Sequence, residues 1–184
     1  ILGDSFLRIY NFLGYDTKGI NYLGDAGLHI GKLIVAYELW LDKEALKKNS
    51  VKELLRLYVK FCEKEGKEYN EDTEEEFQDN EWTNKAKEKL KLLELGDKKT
   101  HKIWQEILNN SEKGFNQVYK LLNVNFHETT GQSLFSEKGK KIIEEALKKG
   151  LARTDDDGAV YVEFPDLPKK YVLRKNGTAS YITQ

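Results

Sequence analysis

Asn21-Tyr-Leu-Gly-Asp-Ala-Gly-Leu-His-Ile-Gly31, running directly into the apolar segment Lys32 to Leu41, is the stretch that decides how this chain folds. Ile20 and Tyr22 favour an extended strand, and Gly24, Gly27 and Gly31 permit a tight turn and close backbone approach. Ile34, Val35, Leu39 and Trp40 then recur at helical spacing. A strand that opens through a glycine turn into a helix N-terminus is where an α/β sheet binds its ligands. The same spacing without a full phosphate-loop pattern also suits a plain buried crossover.

Upstream, Ile1, Leu2, Phe6, Ile9, Tyr10 and Leu13 repeat as one helical stripe, closed by Gly14, and Thr17 to Leu23 follows as a strand. Downstream the pattern changes from about residue 50. Ser50-Val-Lys-Glu53 reads as a capping box before the stripe Leu54, Leu55, Tyr58, Phe61 and Cys62. After a charged connection over Gly66 to Asp72, a second box, Thr73 to Glu76, opens a helix carrying Phe77, Trp82, Ala86, Leu90 and Leu93, closed by Gly96. His101 to Leu122 is a third amphipathic helix, with Trp104 expected as a core anchor. This helical block interrupts a strand–helix alternation that is expected to resume at Asn123 to Phe126, as an insertion into a doubly wound sheet does. Ser136 to Lys149 then reads as a helix. Leu151 to Thr154 and Ala159 to Phe164 read as strands joined by Asp155 to Gly158, and Pro165 and Pro168 bracket a loop. Tyr171 to Lys175, Asn176-Gly177 and Thr178 to Thr183 form a β-hairpin on a type I′ turn.

The 184 residues suit one domain or part of a larger one. The chain lacks methionine and opens on Ile1 in mid-helix, so it is expected to be a piece of a longer protein. No apolar run approaches the ~20 residues of a membrane span. Thirty basic residues balance thirty-one acidic ones, so no global charge draws the segment onto nucleic acid. Cys62, the single cysteine, excludes an internal disulfide and a cysteine zinc cage and favours an intracellular, cytoplasmic address. His29, His101 and His127 lack ligand spacing, so no metal site is expected. Lys85, Lys87, Lys89, Lys91, Lys98 and Lys99 read as a solvated face. Lys138, Lys140, Lys141, Lys148 and Lys149 are the better phosphate-contact group.

Several of these stretches resemble the arginyl-tRNA synthetase family. Asn21-Tyr-Leu-Gly-Asp-Ala-Gly with His29-Ile-Gly is similar to the segment after that family's His-Ile-Gly-His signature, with Ala26 in place of Trp and His29 in place of Gln. Lys102-Ile-Trp-Gln-Glu-Ile, Ser111, Phe115 and Tyr119 to Phe126 resemble a later run. Gly131-Gln-Ser-Leu-Phe135 resembles Gly-Glu-Ser-x-Tyr, and the end of the chain resembles Val-x-Arg-x-x-Asp-Gly-x-x-x-Tyr-x-Thr-x-Asp with Asn176 at the first Asp.

The resemblance implies an α/β fold, a class I synthetase Rossmann-like parallel sheet segment with a helical insertion and a C-terminal β-hairpin. Residues 1–48 would be part of the nucleotide-binding fold, 49–122 the insertion, and 123–184 the resumed core. It implies ATP-dependent activation of L-arginine and transfer to tRNA(Arg), with Mg in the full-length enzyme, the fragment alone being inactive and binding no cofactor itself. The ATP-contacting His-Ile-Gly-His turn would lie before Ile1. Tyr181 and Gln132 would line the arginine pocket. Gln132 stands where the family has Glu, and a carboxamide lacks the charge of a carboxylate partner. Asp25 would either cap the following helix or orient arginine. Gly24, Gly27 and His29 would lie near ATP or the adenylate, although a first-turn imidazole is also often merely packed or solvated. Two other readings are a different class I synthetase such as the cysteinyl enzyme, whose zinc would need cysteines, and a non-catalytic synthetase-like binding or assembly module.

Overall fold

The computed structural model describes residues 1–66 and 80–183. The capping box at Thr73 to Glu76, Phe77 and the connection 67–72 lie outside the described residues. The chain is α/β and divides into two compact units, one of residues 1–27 with 116–184 and one of residues 28–115.

In the first unit, α1 (Leu2–Phe12) leads through Gly14 to β1 (Ile20–Leu23). β1 pairs in parallel with β2 (Glu128–Gly131), Ile20 opposite Glu128 and Leu23 opposite Gly131. Parallel neighbours require a crossover connection, and here all the intervening helices lie within it. The strand expected at Asn123 to Phe126 begins instead at Glu128. Asn123 takes a left-handed φ of 53°, while its N–H bonds to the Lys120 carbonyl and that of Val124 to the Tyr119 carbonyl, at 3.2 and 2.9 Å. This Schellman closure of α6 (Lys98–Leu121) uses the residues that read as β-forming. His127 then ties the strand starts together, its Nδ1 accepting the Gly19 N–H at 3.0 Å.

The second sheet of this unit is antiparallel, in the order β3 (Arg153–Thr154), β4 (Val160–Phe164), β5 (Leu167–Leu173). α7 (Ser136–Lys148) belongs with it through a core of Ile143, Ala152, Val160 and Val172. Pro165 and Asp166 form a two-residue turn rather than an open loop, and Pro168 sits within β5, an edge strand that spares its missing N–H. The Asn176-Gly177 turn also differs from expectation. Gly177 is left-handed at φ 79° but Asn176 is not, and the Gly177 N–H bonds to the Arg174 carbonyl at 2.8 Å. That is a type I turn closed by a glycine bulge, held by the Asn176 Oδ1, which accepts from Thr178 N–H and hydroxyl at 3.1 and 2.8 Å. After one bridge, Leu173 to Ala179, the expected second strand gives way to a 3-10 turn at Tyr181–Thr183.

The second unit is built around α2 (Leu28–Trp40), apolar on most of its faces and burying Ile30, Gly31, Ile34, Val35, Ala36 and Tyr37. α3 (Lys43–Lys48), α4 (Ser50–Glu65), α5 (Glu81–Glu94) and the part of α6 up to Phe115 complete it. Leu54, Leu57, Phe61, Ala86 and Ile107 join the same core, with Trp40, Trp82 and Trp104 packed around it, Trp104 in the anchoring role its sequence position suggested. Gly31 is required by helix packing: a Cβ there would lie 2.2 Å from the Ala86 carbonyl oxygen.

The helix starts also correct the sequence reading. Asn49, not Ser50, caps α4, its Oδ1 accepting from Lys52 N–H at 3.0 Å, while the Ser50 hydroxyl donates to the Asn110 carbonyl. Glu53 reaches the start of α3 instead of its own, accepting the Asp42 N–H at 2.9 Å. Hydrogen bonding from Arg56, opposed by burial, holds the Glu53 carboxyl below its ordinary pKa. The helix carrying Trp82 begins at Glu81 under an Asn80 cap. Glu65, buried at the end of α4, accepts from the Thr83 hydroxyl at 2.7 Å and pairs with Lys32 at 2.5 Å. Among the described residues no helix is long and apolar enough to cross a membrane.

Candidate functional site

Because β1 and β2 are parallel and end side by side, the residues that follow Leu23 and Gly131 leave the sheet at the same edge. Ligands of α/β sheets bind outside such carboxyl ends. On the β1 side these residues are Gly24 and Asp25, and on the β2 side Gln132 and Ser133.

Asp25 and Gln132 are both buried, at 6% and 7% exposure. The Asp25 Oδ1 accepts the Ser133 N–H at 2.8 Å, and its Oδ2 accepts the Ser133 hydroxyl at 2.6 Å. These are charge-assisted bonds between groups 108 residues apart, and they fasten one strand end to the other. Gly131 lies flat against the same carboxylate, with room for no Cβ, since one would fall 2.3 to 2.6 Å from its three atoms. Gly24 faces the Gln132 carboxamide at ordinary contact distance, 3.8 Å from the position of a Cβ to Oε1. Gln132 opens a 3-10 turn, Gln132–Leu134, closed by the Phe135 N–H on the Gln132 carbonyl at 3.0 Å. The Tyr22 and Phe135 rings meet with their centres 5.9 Å apart.

The structure therefore brings Gly24, Asp25 and Gln132 together. Gly27, at φ 112°, makes the turn out of this edge, a conformation that favours glycine. His29 lies on the first turn of α2, exposed, in the helical unit. Tyr181 opens the 3-10 turn whose Thr183 meets Gly139, rather than lying on a strand, and the residue is 77% exposed. Ser133 and Gly131 are the site residues that sequence reasoning passed over. Their signal was present in Gly131-Gln-Ser133, where a small residue and a two-donor residue flank the amide.

The lysine clusters are largely engaged. Lys89 and Lys99 both pair with Glu38, at 2.7 and 3.2 Å, and Lys85 pairs with Glu81 at 2.6 Å. Lys138 stacks over the Phe135 ring at 5.4 Å, and Lys140 pairs with Glu137 at 3.5 Å. Among the described residues no group of three or more His, Cys, Asp or Glu is placed to hold a metal ion. What the strand-end arrangement offers chemically is a buried carboxamide, able to accept and to donate, whose neighbour Ser133 is bonded to the Asp25 carboxylate.

Comparison with known proteins places this geometry in context. The family model described as tRNA synthetases class I (R), catalytic domain, matches residues 1–184. The arginine–tRNA ligase of Fusobacterium nucleatum subsp. nucleatum is 38% identical over 186 residues, covering 100% of this chain and 31% of that protein. The arginine–tRNA ligase of Clostridioides difficile is 36% identical over 186 residues with the same coverage. The chain thus spans 31% of the length of these curated relatives. A crystal structure of arginyl-tRNA synthetase from Plasmodium falciparum shares the fold at a TM-score of 0.67 and 19% identity, over 99% of this chain and 29% of that one.

Proposed function

Since the chain belongs to the family of class I tRNA synthetase (R) catalytic domains, we propose that it is the central part of a cytoplasmic arginine–tRNA ligase. In the full-length protein, the arginine carboxylate attacks the α-phosphate of ATP, pyrophosphate leaves, and an arginyl-adenylate forms. The terminal ribose hydroxyl of tRNA(Arg) then takes the arginyl group and AMP leaves. Neither step takes an acid or base from this chain. Its contribution is to hold arginine where its carboxylate meets the phosphate, and positioning of this kind supplies much of the rate.

The observation that carries this reading is the convergence of Gly24, Asp25 and Gln132 at the paired ends of β1 and β2. In this assignment the Gln132 carboxamide accepts a hydrogen bond from the arginine guanidinium, and Tyr181 covers the same substrate from the C-terminal turn. Gly24, Gly27 and His29 lie toward the adenylate, and residues 49–122 are an insertion in the nucleotide-binding fold. The described residues offer no acidic cluster fitted to Mg, and no step is assigned to that ion.

The test is ATP–pyrophosphate exchange by the full-length protein with tRNA(Arg) present. Exchange is expected with arginine and not with cysteine, and absent from the 184-residue chain by itself. Robust exchange by the short chain, or exchange driven by another amino acid, contradicts the assignment. Gln132→Glu in the full-length protein is expected to tighten arginine by about tenfold in calorimetric titration, the gain of replacing a neutral acceptor by a charged one. Unchanged affinity would place Gln132 outside the arginine pocket.

A further inference from the structure

Resting on the reading of Gln132 as an arginine contact, we infer that Asp25 is the positioning residue for that contact: through Ser133 and Gly131 it fixes the peptide on both sides of Gln132.

The two residues that flank Gln132 are both held by one side chain. Ser133 gives Asp25 its N–H at 2.8 Å and its hydroxyl at 2.6 Å. Gly131 presses against the same carboxylate without space for a methyl group. The backbone is therefore anchored before and after Gln132, which leaves the carboxamide few positions, and Gly24 bounds it from the β1 side. The turn lies beyond the last paired residues of both strands, so the clamp supplies its precision. An aspartate suits this task because Ser133 presents two donors and a carboxylate accepts at both oxygens. An asparagine keeps one acceptor for the N–H and can let the hydroxyl reverse its role, so it preserves the shape while losing the charge.

The experiment measures KM for arginine, KM for ATP and kcat in pyrophosphate exchange by the full-length protein with tRNA(Arg) present, and thermal unfolding in parallel. Ser133→Ala is expected to raise KM for arginine about five- to tenfold, the loss of one charge-assisted hydrogen bond, with KM for ATP and kcat changing less than about twofold. Asp25→Asn should match Ser133→Ala, and Asp25→Ala should exceed both, near a hundredfold, as a misplaced contact does. In a Gln132→Ala background, Ser133→Ala should add less than about twofold, because the effect travels through the carboxamide.

The positioning role is overturned if Ser133→Ala leaves KM for arginine unchanged while Asp25→Asn is as damaging as Asp25→Ala, the pattern of a direct charge contact with substrate. It is equally overturned if Ser133→Ala keeps its full effect in the Gln132→Ala background, or if the variants lose only thermal stability. Should Asp25→Ala fail to fold, Ser133→Ala with and without Gln132→Ala still decides the matter. A wild-type protein without arginine-dependent exchange in the presence of tRNA(Arg) defeats the proposed function. Active wild type, with KM for arginine raised by Gln132→Ala and untouched by Ser133→Ala, defeats the positioning role alone.

Discussion

Replacing Glu65 by alanine is expected to destabilise the helical unit by about 3–5 kcal/mol, the cost of breaking a buried ion pair from one side. The Glu65 side chain is 2% exposed and that of Lys32 17%. Truncation leaves the Lys32 ammonium inside the protein beside the Phe61 ring, 6.0 Å from its centre, and takes from the Thr83 hydroxyl its carboxylate partner. The pair itself contributes much less than this figure, because most of its attraction is spent on desolvation. Lys32→Met with Glu65→Leu should accordingly recover most of the lost stability. Urea unfolding followed by tryptophan fluorescence reports on this unit, since Trp82 stacks edge-on against Phe61 at 5.7 Å. A loss below about 1 kcal/mol, the usual value for an exposed pair, would show that the pair is solvated.

Gly131→Ala is expected to raise KM for arginine about a hundredfold in the full-length protein while leaving a folded chain. The Gly131 backbone, at φ −145° and ψ 165°, is extended, so alanine brings no conformational strain of its own. What it brings is a Cβ 2.3 to 2.6 Å from the three carboxylate atoms of Asp25, about an ångström inside ordinary contact. The carboxylate has to leave, and both hydrogen bonds to Ser133 go with it. A displacement of that size at a substrate contact costs on the order of a hundredfold, and here it falls on arginine binding. An unchanged KM would mean that the strand-end turn keeps its shape without the clamp.

How much of this was legible in the sequence differs from element to element, for physical reasons. The strand, turn and helix around Asn21 to Gly31 were readable because glycines and apolar spacing are local signals, and the parallel pairing followed from the helical interruption. The β2 boundary was missed because Val124 and Phe126 have strand-favouring side chains, while the Schellman closure at Asn123 is a backbone choice that composition barely records. The cap at Asn49 was lost to the box opened by the adjacent Ser50, since neighbouring residues could accept the same N–H groups. Asn176-Gly177 marked its turn correctly and its turn type wrongly, because the three-residue loop also needs only one left-handed glycine. At the site, Gly24, Asp25 and Gln132 could be named individually from motif resemblance. Their joining through Ser133 could not, because a hydrogen bond between residues 108 apart leaves no spacing to read.

In the proposed assignment arginine binds where β1 and β2 end together. Hydrogen–deuterium exchange of the full-length protein, with and without saturating arginine, tests this most directly. Protection is predicted to appear in peptides covering Gly24 to Gly27 and Gln132 to Phe135, with the β4–β5 ladder unchanged. Arginine-induced protection confined to other segments, with both strand ends exchanging as before, would contradict it.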